Sequence, residues 1–77
     1  MTAEEMFEAL GYKYFRQTPY GSLIYREYDF DTELGLEITF HYDKTWEVES
    51  LNRHFDCDIS INLHKAITQQ MKELGWL

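Results

Sequence analysis

Hydrophobic positions repeat with a helical period at the two ends of this chain and alternate with polar ones in the middle. Near the amino end Met6, Phe7 and Leu10 fall on one helical face, and near the carboxyl end Leu63, Ile67, Met71 and Leu74 form an apolar stripe. Between them lie segments rich in Tyr, Phe, Ile, Thr and Val, separated by turn formers, which is strand composition.

Boundary signals frame both helices. Thr2 and Glu5 fit the capping box T-x-x-E, in which each side chain satisfies a free backbone N–H, so a helix is expected to start at Ala3 with Met1 stapled onto Met6. Gly11 supplies the left-handed residue that ends it, and the residue after such a glycine packs back on the last turn, placing Tyr12 against Phe7. Gly75 and Trp76 repeat the device at the far end, with Trp76 folding back near Met71. Ser60 is the preferred cap of the second helix, although Cys57, Ile59, Ile61 and Leu63 also alternate as an extra strand would.

The middle predicts strands over residues 12–17, 22–29, 35–42 and 45–51. Thr18-Pro19-Tyr20-Gly21 has proline and glycine where a tight turn wants them, and Asp31 to Gly35 makes a looser connection. Leu36, Ile38, Phe40 and Tyr42 share one face, continued by Trp46 and Val48. A two-residue loop would set Phe40 opposite Glu47 and mix core with solvent face. A three-residue loop, Asp43-Lys44-Thr45, pairs Tyr42 with Trp46 and Phe40 with Val48, and on the outer face His41 with Glu47 and Thr39 with Glu49. In the first two strands Leu23 and Tyr25 alternate with Ile24 and Tyr28, so the face left uncovered by the helices is an interface candidate. The expected fold is α+β: a four-stranded antiparallel meander with an N-terminal and a C-terminal helix, in the order α-β-β-β-β-α.

At 77 residues the chain supports one core and one domain, residues 1–77, near the lower limit for folding without disulfides or metal. An aromatic fraction of 17% supplies side chains that each bury much area and so offset the entropy of ordering a short chain. Cys57 is the sole cysteine, which excludes an intramolecular disulfide and suits a reducing compartment. Neither a basic, apolar leader nor a run long enough to span a membrane occurs, so the expected location is the cytoplasm.

The net charge is −7, from fourteen acids and seven bases, and it is unevenly placed. From Glu27 to Glu49 there are eight acids and one base, Lys44, so this stretch carries the entire net charge. Such a balance disfavours nucleic acid and anionic membrane as partners and favours a basic protein surface. The candidate partner-binding residues are Glu27, Asp29, Asp31, Glu33, Glu37, His41, Glu47 and Glu49.

Other chemistry is poorly supported. Asp29-Phe30-Asp31-Thr32-Glu33-Leu34-Gly35 has the alternating carboxylates of a calcium loop, but its glycine stands seventh rather than sixth and Phe40 occupies the place of the bidentate glutamate. His54, Asp56, Cys57 and Asp58 are metal-ligand types without a recognisable zinc spacing, and no glycine-rich element near Cys57 offers an oxyanion site. His41 beside Glu47 and Glu49 resembles an acid–base constellation, which exposed cross-strand pairs form without catalysing anything. His64 reads as a surface or boundary residue. Tyr12, Tyr14, Phe15, Tyr20, Tyr25, Tyr28 and Phe30 lack the basic groove that accompanies base-stacking platforms. No catalytic, metal or cofactor-binding residue is assigned, and no cofactor is implied.

The opening T-A-E-E-M-F-E-A-L-G-Y, the aromatic middle and the closing I-T-Q-Q-M-K-E-L-G-W resemble small uncharacterised proteins of Gram-positive bacteria and their phages and prophages. The resemblance implies a bacterial cytoplasm and a mobile element as the setting, and transfers no functional residue. Two functions lead, with an enzyme third and an acidic block that only keeps the domain soluble as the plain alternative: a non-enzymatic module whose acidic strands dock on a basic protein, such as a nucleic-acid-binding protein whose site it masks, and a self-associating structural protein that forms a homodimer.

Overall fold

The computed structural model describes residues 1–29, 31, 34–50 and 59–77, with the backbone alone for Asp29 and Leu34. Helix α1 (Ala3–Ala9) opens with the expected capping box: Glu5 N–H donates to Thr2 Oγ1 at 3.2 Å and Thr2 N–H to Glu5 Oε1 at 2.9 Å. Met1 stays 80% exposed, so the staple onto Met6 covers little. Past the helix Gly11 takes φ +93°, and Tyr12 N–H donates to Phe7 O at 2.9 Å while Gly11 N–H donates to Glu8 O at 3.0 Å. That geometry sets the Tyr12 ring edge-on to Phe7, 6.0 Å between centroids.

Helix α2 (Ile61–Glu73) begins at Ser60, whose Oγ accepts from Leu63 N–H at 3.1 Å. The alternation through Ile59 and Ile61 therefore does not mark a strand at those positions, both of which are exposed; Cys57 lies outside the described residues. Trp76 N–H returns to Met71 O at 2.9 Å, repeating the first helix stop. The buried stripe differs from the expected one: it runs Leu63, Ala66, Ile67 and Gln70, Met71 is half-buried, and Leu74 is 40% exposed. Leu74 is the C-cap, where the chain leaves the helix, and Trp76 reaches the core in its stead, 6.1 Å from Phe40.

The strands β1 (Lys13–Gln17), β2 (Leu23–Asp29), β3 (Leu34–Phe40) and β4 (Trp46–Ser50) form one antiparallel sheet in the order β1-β2-β3-β4. The α+β architecture is thus the expected meander between two helices. Both helices pack on one sheet face, where Phe7 stacks on Tyr25 at 4.1 Å and lies edge-on to Phe40 at 6.2 Å. Ala3, Tyr12, Leu36, Ile38, Leu63, Ala66 and Ile67 complete the buried cluster. Glu73 ties the helix ends together, accepting from Ala3 N–H at 2.7 Å, a negative group at a helix N-terminus.

The β3–β4 register corrects the sequence expectation. Its loop has three residues, but they are Tyr42, Asp43 and Lys44 rather than Asp43, Lys44 and Thr45, closed by His41 N–H donating to Thr45 O at 2.7 Å. Asp43 fixes this choice by accepting from Thr45 N–H at 3.2 Å and from Thr45 Oγ1 at 2.6 Å, and Lys44 adopts φ +69°. Moving the loop by one residue shifts the register by two, so each residue keeps its face and changes its partner. Phe40 opposes Trp46 instead of Val48, Glu47 opposes Thr39 instead of His41, and Glu49 opposes Glu37 instead of Thr39. Tyr42, expected on the core face, sits in the loop 75% exposed. The first hairpin closes the same way, with Gly21 (φ +87°) donating to Thr18 O at 3.0 Å and Thr18 donating to Ser22 O at 2.8 Å.

Among the described residues, no helix is long and apolar enough to cross a membrane.

Candidate protein-binding face

The sheet face turned away from the helices is built from the polar half of each alternation, and one irregularity decides what stands on it. Between β1 and β2, Tyr14 opposes Tyr25 and Arg16 opposes Ile24, so Phe15 is an extra, unpaired residue. A bulge of this kind turns two successive side chains to one side of the sheet. Phe15 and Arg16 accordingly share the outer face, with the Arg26 guanidinium 3.8 Å and the Arg16 guanidinium 5.6 Å from the Phe15 ring.

Across the strands the outer face is ordered by charge. One row reads Lys13, Arg26, Glu37, Glu49, and the next reads Arg16, Ile24, Thr39, Glu47. Bases occupy β1 and β2, acids β3 and β4. In the centre Arg26 Nε and an Arg26 terminal nitrogen both donate to Glu37 Oε2, at 3.0 and 2.6 Å, and this pair is partly shielded from solvent. Lys13, Arg16, Glu47 and Glu49 at the margins are exposed. Ile24 and Thr39, flanked by these longer side chains, are buried.

Crowding of like charge marks the acidic margin. The Glu47 carboxylate, two residues away on the same strand and face, raises the Glu49 pKa, with desolvation and the facing Glu37 adding to it. His41 Nε2 lies 3.2 Å from Glu47 Oε1, diagonal to it rather than directly opposite, and the two side chains are 34% and 48% exposed.

Of the eight candidate residues, the structure brings together Glu37, His41, Glu47 and Glu49. Glu27 points to the helix side of the sheet, opposite Leu36, where a Cβ at Gly11 would lie 3.4 Å from its Oε2. Asp29 ends β2 opposite Leu34, Asp31 is exposed in the loop, and Glu33 lies outside the described residues. So do Phe30 and Thr32 of the calcium-like segment and His54, Asp56, Cys57 and Asp58. Sequence reasoning missed Lys13, Phe15, Arg16 and Arg26. Lys13 and Arg16 are an odd number of residues apart, which strict alternation places on opposite faces, and only the bulge reunites them. The aromatic residues divide: Tyr12 and Tyr25 are core, Tyr14, Phe15 and Tyr28 are partly exposed, and Tyr20 stands on the first hairpin loop.

Comparison with protein-family models, with curated proteins and with solved structures found no match. The chemistry of this face is therefore the basis for a functional reading.

Proposed function

We propose that this chain is a small, non-enzymatic protein-binding module that docks through the acidic β3–β4 half of its outer sheet face onto a basic protein surface. The observation that carries the reading is the pair Glu47 and Glu49, exposed on one face of an edge strand with Glu37 beside them and crowded enough to raise the pKa of Glu49. Glu37 already has Arg26 as its partner, so the charge offered outward is chiefly that of Glu47 and Glu49. Patches of this sort steer encounter and suppress like-charged competitors more than they add affinity.

The test is a quantitative pull-down comparing the native chain with the Glu47→Lys/Glu49→Lys variant at low and moderate salt. Captured basic proteins that disappear with the double reversal support the proposal. An identical set of partners for both chains would defeat it.

A further inference from the structure

A basic surface complementary to the acidic margin is present on the molecule itself: it is the β1–β2 half of the same face. Resting on the reading of this face as a binding surface, we infer that a second copy of this chain docks on it, stacked face to face about a two-fold axis parallel to the strands.

Strand register supplies the complementarity. Lys13 is level with Glu49 through Arg26 and Glu37, and Arg16 is level with Glu47 through Ile24 and Thr39. Across the sheet, the first row is positive, positive, negative, negative; the second is positive, neutral, neutral, negative. Each row is the charge complement of its own reversal. A two-fold axis along the strands performs that reversal, because it lays β1 of one copy over β4 of the other while keeping each level unchanged. Lys13 then meets Glu49 of the second copy and Arg16 meets Glu47, while the Arg26–Glu37 pair of each copy, already satisfied within its own chain, faces the other in reversed order. Ile24 and Thr39, already covered by their longer neighbours, put no charge at the centre of their row.

The alternative in-plane axis, perpendicular to the strands, sets β1 over β1 and β4 over β4, base on base and acid on acid. Charge therefore favours the axis along the strands over the one perpendicular to them. Both axes keep the strands of the two copies aligned, as packed sheets commonly are, so charge alone separates them. Isologous contacts of this kind close on themselves as dimers. The bulge at Phe15 has a part in it: were Phe15 paired regularly with Ile24, Arg16 would oppose Leu23 on the helix side and the second row would lose its positive end.

The face is small. Three strand spacings separate β1 from β4, about 14 Å, and the patch falls short of the ~800 Å² per partner of a standard stable interface. The dimer is accordingly weak, exchanging and salt-sensitive, populated at high chain concentration and low ionic strength.

Sedimentation equilibrium across dilution tests this with charge-swapped chains. Native protein should rise towards twice the monomer mass at low salt and fall back as salt is added. Lys13→Glu/Arg16→Glu alone and Glu47→Arg/Glu49→Lys alone should each remain monomeric, since like charges then face one another. An equimolar mixture of the two variants should associate again as a heterodimer, which also shows that each has kept its fold. Native chain that is strictly monomeric at low salt and millimolar concentration overturns the inference. So does a dimer indifferent to the Lys13 and Arg16 swap, or a mixture that fails to associate. Docking on a foreign basic protein depends on Glu47 and Glu49 and tolerates reversal of Lys13 and Arg16, so the failure of that reading and of this one are separable.

Discussion

The hydroxyl of Tyr25 donates to Oε1 of Gln70 at 2.6 Å, a buried hydrogen bond that joins the second strand of the sheet to the C-terminal helix. It is a polar contact set in an apolar and aromatic core, and each partner satisfies the other. Tyr25→Phe should lower stability by about 1–3 kcal/mol, because it leaves a buried amide oxygen without its donor. Gln70→Leu should cost a similar amount by orphaning the hydroxyl. The double variant should cost clearly less than the two single changes together, since both polar groups leave. Urea unfolding of the four chains checks this, and simple additivity would contradict it.

The same tyrosine predicts an alkaline limit. Burial, with the nearby carboxylates of Glu4 and Glu73 adding to it, raises the Tyr25 pKa from its ordinary 10 to about 12. A group that holds its proton more tightly when folded contributes stability that is complete below its unfolded pKa and is lost as pH rises through the folded one. Stability should therefore fall between about pH 10 and 12. In Tyr25→Phe this part of the fall should be absent. Unfolding midpoints measured across that range, with tyrosinate absorbance followed in parallel, decide the matter.

Lys44 occupies the position in the second hairpin that Gly21 occupies in the first, and adopts the left-handed φ that glycine accepts without strain. Lys44→Gly should stabilise the fold by on the order of 0.5–1 kcal/mol, the relief of left-handed strain exceeding the added freedom of the unfolded chain. Thermal unfolding of the two chains is the measurement. A lower midpoint for Lys44→Gly would show that the Lys44 side chain supplies more than the backbone saves.

Glu49 is held at a disadvantage by Glu47 beside it and Glu37 across from it. Its raised pKa means the folded state favours the protonated form, so this carboxylate opposes folding above the carboxylate range and ceases to do so below it. Glu49→Gln should add a few tenths of a kcal/mol at neutral pH, a gain limited by exposure of the site. The advantage should vanish below about pH 4. Denaturant titrations at neutral and acid pH, at low salt, provide the check; a gain that persisted in acid would point to packing rather than charge.

Much of the fold was legible because its signals are local. Thr2 with Glu5, Ser60, and the two glycine–aromatic stops act on their own backbone within a few residues, so helix ends follow from spacing alone. Alternation assigned faces in the third and fourth strands, and parity excluded an even-length loop there. Gln70 was not legible: nothing in a polar side chain on a helix tells that a tyrosine hydroxyl from the sheet will meet it.

By itself, then, the amino-acid order determined the helix–meander–helix plan, the loop length in the second hairpin, and the gathering of acids in the middle of the chain. Which residues of that loop turn was not read from alternation, because it is settled by the local bonds from Thr45 to Asp43, a signal alternation does not record. Tertiary structure decided the candidate face. A single extra residue at Phe15 reverses the facing of Arg16 and Gln17 after it, and strand pairing then sets bases from residues 13–26 level with acids from residues 37–49. Charge along a chain is additive, but charge on a surface depends on register, and register is settled only when the strands pair.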